Sequence, residues 1–325
     1  MPIVEVENLK TFFYEKNGFL HRLMDKGPIE IRAVDDVSFN IDKGKTLGLV
    51  GESGCGKTTV ARSILRLVEP TAGAIRFKEN QITDLKGKEL KNFRANAQMI
   101  LQDPRSSLNP RFIVEEVVSE PFYIHGLVDE DFDLLERVWE LLDMVGLSRK
   151  YSELFPHELS GGEARRVGIA RALALNPEFI ICDEPTAGLD VSIMSSVLNL
   201  MNKLQEKFNL TFLWISHNLQ VVRYVSNRIG IMYLGKIVEM GETEEVFNDP
   251  LHPYTQALFS SIHMVGQDFK KKEREILEGE VPSPINPPAG CSFNPRCKHA
   301  WEKCSQTEPE LKEREKGREV ACWLY

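Results

Sequence analysis

The stretch that most restricts this chain is Gly51-Glu52-Ser53-Gly54-Cys55-Gly56-Lys57-Thr58, which fits G-x-x-x-x-G-K-[ST]. The run before it, Thr46-Leu47-Gly48-Leu49-Val50, is short and apolar, as a buried strand is. After it Val60, Ile64 and Leu67 recur at helical spacing, with Ala61, Leu65 and Val68 beside them. A strand, a glycine loop and a helix in that order turn backbone N–H groups inward around an anion and set a helix N-terminus behind them. The loop therefore predicts a nucleotide phosphate site lined by Ser53, Gly54, Cys55, Gly56, Lys57, Thr58 and Thr59. Lys57 would neutralise the β and γ phosphates of ATP, and the Thr58 hydroxyl would hold Mg²⁺. Cys55 fills a free position of the motif and needs no redox role.

A second half of such a site lies in Phe179-Ile180-Ile181-Cys182-Asp183-Glu184. An apolar strand would deliver Asp183 to the metal's water shell, and Glu184 would polarise a water for in-line attack on the γ phosphate. Cys182 reads as a small core residue. Thr211-Phe212-Leu213-Trp214-Ile215-Ser216 is another buried strand, and a helix between the two makes a β-α-β crossover and hence a parallel sheet. Arg228 to Met240, with Gly235-Lys236 at its middle, reads as a hairpin.

Residues 1 to about 42 read as short strands, with apolar and polar residues alternating in Val37-Ser38-Phe39-Asn40-Ile41 and a turn at Asp42-Lys43-Gly44-Lys45. Ala74-Ile75-Arg76-Phe77 returns to alternation. From about 88 to 175 the pattern is mostly helical, including one packing stripe of Phe132, Leu135, Val138, Trp139, Leu142 and Val145 closed by Gly146. The fold class is thus α/β.

Composition narrows the class further. A length of 325 residues is roughly two domains' worth. No apolar run approaches the roughly 20 residues that cross a bilayer, and the first residues lack the basic and apolar halves of a signal peptide. A cytoplasmic chain is expected, with any membrane role supplied by a partner. The 40 Lys plus Arg against 48 Asp plus Glu leave a net charge of −8, which argues against nucleic acid as a partner.

P-loops serve many chemistries, and the narrowing residues are Leu159-Ser160-Gly161-Gly162-Glu163, just before a helical segment through Arg171 and Ala172. This segment resembles the signature of ATP-binding cassette (ABC) ATPases, and further motifs follow in that family's order over nearly the whole chain. Gln102, in Gln102-Asp103-Pro104, matches the Q-loop, and Asp183 and Glu184 the Walker B pair. Ala187-Gly188-Leu189-Asp190 matches the D-loop and His217 the switch histidine, while Phe13 is the counterpart of the adenine-stacking aromatic, with Phe12 close enough to compete. The resemblance implies a P-loop cassette with a mixed RecA-like sheet, an antiparallel β subdomain and a helical subdomain. It implies catalytic roles for Glu184, His217 and Gln102, and Mg²⁺ contacts from Thr58, Gln102 and Asp183. It also implies that Ser160, Gly161 and Gly162 face ATP held by a second cassette subunit, identical or homologous. Two departures stand out: Glu163 where the family commonly has Gln, and Gly188 for a commoner alanine.

The end of the chain narrows the resemblance to dipeptide and oligopeptide importer ATPases. His252-Pro253-Tyr254-Thr255, Val281-Pro282-Ser283-Pro284-Ile285-Asn286-Pro287-Pro288 and Gly290-Cys291-Ser292-Phe293-Asn294-Pro295-Arg296-Cys297 carry it. It implies an ATPase at the cytoplasmic face of the membrane, working with permease subunits and, through them, an extracytoplasmic binding protein. Nickel importers of the same build and soluble, non-transporting ABC ATPases are the alternatives. The expected division is a nucleotide-binding domain over 1–255 and a small cysteine-rich extension over 256–325, opened by a solvated run at Lys270-Lys271-Lys272-Glu273-Arg274-Glu275 and a proline-rich linker.

Cys291, Cys297, Cys304 and Cys322 are spaced C-x5-C-x6-C-x17-C, without the short knuckles of structural zinc sites. Four such thiolates suit a [4Fe–4S] cluster, and the resemblance points the same way; zinc and free or disulfide-linked thiols are the alternatives. His299 lies between two of these cysteines as a possible replacement ligand. The proline-rich surroundings and the distance from the ATP motifs favour a structural role for the group.

Overall fold

The alternation near the N-terminus belongs to two long strands, β1 (Pro2–Glu15) and β2 (Ile29–Asp42), paired antiparallel. They read as several short strands because register shifts interrupt the pairing, one of them between Val6 and Leu9 opposite Phe39 and Val37. The computed structural model describes residues 1–15, 29–129, 132–260, 279–315 and 317–325. The run Lys270–Glu275 lies outside the described residues. β3 (Thr46–Val50) is buried throughout and feeds the glycine loop into α1 (Lys57–Ile64), where Val60, Ala61 and Ile64 are buried. α1 stops earlier than its apolar spacing suggested, leaving Leu67 exposed. β4 (Ala72–Phe77) and β5 (Asn80–Gln81) complete a four-stranded antiparallel sheet ordered β2-β1-β4-β5.

The stretch read as mostly helical contains α2 (Gly87–Asn96), then a strand, β6 (Ala97–Ile100), followed by α3 (Val114–His125) and α4 (Leu134–Met144). The stripe on α4 is rotated from the one the spacing implied: Leu141 is buried with Val138 and Leu142, whereas Leu135 faces outward. α5 (Gly161–Leu173) begins at a capping box, in which Ser160 Oγ accepts from the Glu163 N–H and the Glu163 carboxylate accepts from the Ser160 N–H.

β7 (Phe179–Asp183), α6 (Val191–Phe208), β8 (Thr211–Ile215) and α7 (Leu219–Val225) follow, then the hairpin of β9 (Arg228–Tyr233) and β10 (Lys236–Glu242). α8 (Thr243–Asn248), α9 (Pro253–Ser260), α10 (Glu302–Gln306), β11 (Lys312–Glu315) and β12 (Arg318–Val320) end the chain. Among the described residues the main sheet has eight strands in the order β11-β12-β10-β9-β3-β8-β7-β6; β9-β3-β8-β7-β6 pair parallel and the rest antiparallel.

Successive side chains of the central strands enter opposite cores, as the two-residue period of a strand requires. Phe212 and Trp214 pack with the helices, while Leu213 and Ile215 pack with α1 and the four-stranded sheet. The cysteine-rich tail that the sequence sets apart is tied to the main sheet. β12 hydrogen-bonds to β10, so the tail extends the main sheet, and Phe293 joins the larger core. Among the described residues no helix is long and apolar enough to cross a membrane.

Candidate active site

The glycine loop is held open from behind. A Cβ at Gly51 would lie 2.1 Å from the Met232 carbonyl oxygen, so no larger residue fits there without moving the β9 backbone. The Lys57 ammonium donates to the Gly51 and Glu52 carbonyls at 2.8 and 2.9 Å and reaches Cys55 Sγ at 3.4 Å. It is buried and spans the loop that would receive phosphate. Burial raises the Cys55 thiol, which keeps it protonated beside that cation.

Two carboxylates arrive at the end of β7. Asp183 is 3% exposed, and Thr58 Oγ1 donates to its Oδ1 at 3.2 Å. Burial pushes the Asp183 carboxyl up against the pull of that hydroxyl, and neighbouring Glu184 adds to the rise. A hydroxyl and a carboxylate side by side are the hard oxygen donors that Mg²⁺ takes. Glu184, next along, has a left-handed backbone (φ 48°), held by its N–H donating to the Ile215 carbonyl at 2.8 Å. Its two carboxylate oxygens are claimed separately: Gln102 Nε2 donates to one at 3.0 Å, and His217 Nδ1 meets the other at 3.0 Å. Thus Lys57, Thr58, Asp183, Glu184, Gln102 and His217 form one connected group, brought together from four segments.

The serine–glycine helix tip does not join that group. Ser160 is exposed and caps its own helix, and a Cβ at Gly162 would lie 2.9 Å from Ile193 Cγ2 on α6. The departure at Glu163 has a local reason: besides the capping box, its other oxygen accepts from the Tyr151 hydroxyl at 2.7 Å. Those bonds hold the Glu163 carboxyl below its usual range, Tyr151 contributing most. Phe13 is 40% exposed near the end of β1, while the Phe12 ring lies under the Arg32 guanidinium at 5.6 Å, which leaves Phe13 the aromatic face open to stacking.

Sequence reading missed the residues that tie the motifs together. Arg105 donates to the Leu159 carbonyl at 2.8 Å, linking the Gln102 loop to the Ser160 tip. Arg165 on α5 donates to the Leu101 carbonyl at 2.8 Å, and Arg171 to that of Ser107 at 2.7 Å. An arginine in a helical pattern carries no sign of such a role until the fold sets a carbonyl opposite it.

Cys291, Cys297, Cys304 and Cys322 line a single cavity, together with His252, His299 and Phe293. None of the six cysteines is disulfide-bonded. As placed, no three or more His, Cys, Asp or Glu among the described residues form a group that holds a metal ion. His252 is 1% exposed, and its Nδ1 accepts from the Tyr254 N–H at 3.0 Å. Its other nitrogen, Nε2, is buried without a partner among the described residues. The expected distance between this tail and the ATP motifs is absent. Arg296, adjacent to Cys297, donates to both Glu52 oxygens in the glycine loop, at 2.9 and 3.3 Å.

Comparison with known proteins shows the family. A family model described as ABC transporter matches residues 34–187, and one described as oligopeptide/dipeptide transporter, C-terminal region, matches residues 238–304. The chain is 49% identical over 325 residues to the oligopeptide transport ATP-binding protein AppF of Bacillus subtilis (strain 168), covering 99% of this chain and 97% of that protein. To the oligopeptide transport ATP-binding protein OppF of Salmonella typhimurium it is 43% identical, over 95% of this chain and 92% of that one. The post-hydrolysis, dimeric structure of the ATP-binding cassette MJ0796 with ADP and Pi superposes with a TM-score of 0.64 at 29% identity, covering 74% of this chain and 98% of that one. With likeness of that extent along nearly its full length, the chain belongs to the ABC transporter ATP-binding proteins, in their oligopeptide/dipeptide branch.

Proposed function

We propose that the chain is the ATP-hydrolysing subunit of a peptide importer, docked peripherally on permease subunits fed by an extracytoplasmic binding protein. The observation that carries the chemistry is the Glu184 carboxylate, fixed between Gln102 and His217 beside the Thr58–Asp183 pair. A carboxylate whose orientation is set at both oxygens is poised to take a proton from one water as that water attacks the γ phosphate in line. Lys57 would turn from the loop carbonyls to the phosphates, exchanging neutral acceptors for charged ones. Thr58 and Asp183, with Gln102 nearby, would hold Mg²⁺, whose chemistry there would be charge neutralisation. His217 would hold the γ phosphate, and Phe13 the adenine. The peptide cargo rests on relatives whose names state oligopeptide transport.

The Ser160, Gly161 and Gly162 tip lies outside the connected group, which suits a site completed by a second cassette. On this reading residues 1–255 form the nucleotide-binding domain, with a helical subdomain over about 88–175. Residues 256–325 form an importer-type extension bound to the same sheet. In that extension Cys291, Cys297, Cys304 and Cys322 hold a [4Fe–4S] cluster. The support is chemical: the four cysteines line one cavity, and the His252 N–H beside it, unpartnered among the described residues, wants an acceptor such as a sulfur.

The test is to purify the tagged chain from its own membranes under anaerobic conditions. A multi-span permease should come with it, its ATPase should rise with peptide-loaded binding protein, and iron and sulfide should be found in equal amounts. Stimulation by nickel but not peptide would overturn the cargo, and zinc in a colourless protein would overturn the cluster.

A further inference from the structure

The glycine loop is gripped on its outer side by the C-terminal tail. Arg296 places both guanidinium nitrogens on the Glu52 carboxylate, and its side chain is only 6% exposed. The same guanidinium lies over the Tyr233 ring at 5.9 Å. Beside it the Glu52 N–H donates to the Tyr254 hydroxyl at 3.0 Å, so side chain and backbone of this one loop residue are both fixed. The Glu52 carbonyl, with that of Gly51, also accepts from Lys57.

The other end of the grip is a rigid turn. Phe293, 2% exposed, plugs against Tyr233 and Tyr254 with ring centroids 5.3 and 5.5 Å away. One turn of 3₁₀ helix, Asn294–Arg296, then presents Arg296. That turn is stitched to the cysteines: the Cys291 N–H donates to the Cys304 carbonyl at 2.7 Å, and Asn294 Nδ2 donates to the Cys291 carbonyl at 2.8 Å. Gly290 (φ 70°) has no room for a Cβ, which would lie 2.3 Å from the Cys304 oxygen.

A glutamate at the rim of a phosphate site repels a triphosphate unless a cation answers it, and Arg296 is the cation supplied. A forked arginine fixes direction as well as charge. We propose that Arg296 is a positioning residue for the phosphate loop, and that through it the turn Cys291–Cys304 and the nucleotide site are energetically coupled. This rests on the ATP site proposed above and not on what the cysteines hold. Because such coupling is reciprocal, nucleotide must steady the turn as much as the turn steadies nucleotide binding.

The test uses the full chain and two readouts. Arg296→Ala should raise the ATP Kd about fivefold or more, the lower end of ordinary coupling, with Arg296→Lys in between. In the transporter complex KM should rise while kcat stays near wild type, since Arg296 touches no reacting atom. By hydrogen exchange, ATP should slow the amides of residues 291–304 in wild type and leave them unchanged in Arg296→Ala. Glu52→Gln, which leaves the tail sequence intact, should abolish the same protection, and this covers a misfolded arginine variant. Unaltered ATP affinity in Arg296→Ala, or protection that persists without the pair, overturns the proposal. Failure of the wild type itself to bind ATP would instead sink the site reading.

Discussion

Glu184 is the only carboxylate of the connected group whose two oxygens are each met by a different side chain, and its backbone conformation is one that non-glycine residues avoid. Strain of that kind persists only where surroundings over-determine it, here the Ile215 carbonyl and the two side-chain partners. Glu184→Gln keeps the shape and removes the proton acceptor. ATP hydrolysis should fall by about 10²–10⁴, the usual worth of a positioned base, with ATP affinity unchanged. Single-turnover rates together with equilibrium nucleotide binding check this, and full turnover would remove Glu184 from the role. Lys57→Ala acts in the other direction, on binding. Losing a charge-assisted contact of about 1.5–3 kcal/mol should weaken ATP tenfold or more, measured by calorimetry.

At the level of elements, one acidic side chain joins the β subdomain to the main sheet. Asp35 on β2 pairs with Lys236 of the hairpin at 3.1 Å and with Lys10 of β1 at 3.4 Å, and Lys236 in turn reaches Glu308 in the tail at 2.7 Å. Burial would raise the Asp35 carboxyl, but the two lysines outweigh it and hold it below its ordinary 3.8. In acid the unfolded chain therefore binds this proton before the folded one does, and stability rises with pH through that window. The contribution is complete above about pH 5 and is lost as pH falls through the folded value. Asp35→Asn should be less stable than wild type in urea at pH 7, and the gap should close below about pH 4. A gap independent of pH would show that packing, not charge, is what Asp35 supplies.

The elements that sequence made legible are those with strong local period or fixed spacing: β3 with its loop, β7, β8 and the hairpin all fall where the pattern put them. β6 did not, because Ala97–Ile100 offers four residues of no distinct alternation directly after a helix. The buried face of α4 was misjudged at Leu135 because its neighbours α3 and α5, not its own spacing, decide which side is covered. The grip of Arg296 on Glu52 spans 244 residues of chain, and no local signal encodes it. The carboxylates and histidine of the site were readable as types in order, while their mutual orientation waited on the sheet.

The molecule as a whole carries a phosphate loop and a serine–glycine helix tip with no hydrogen bond between them among the described residues, and a dimeric cassette structure is among its likenesses. If two copies join head to tail about a two-fold axis, each site takes its loop from one copy and its tip from the other. Chains bearing Lys57→Ala then keep a sound tip and lose the loop, whereas chains bearing Ser160→Arg keep the loop and lose the tip. Each variant alone should be inactive. Mixed one to one, half of the dimers pair unlike chains, and each of these has one intact site out of two. Activity should therefore return to about a quarter of wild type if sites act independently. It should also scale with the square of protein concentration at dilution, as a dimerising enzyme does below its dissociation constant. No recovery on mixing, together with turnover linear in protein, would mean that one chain completes its own site. Recovery only on adding a homologous cassette would show that the tip is supplied by a sibling chain instead.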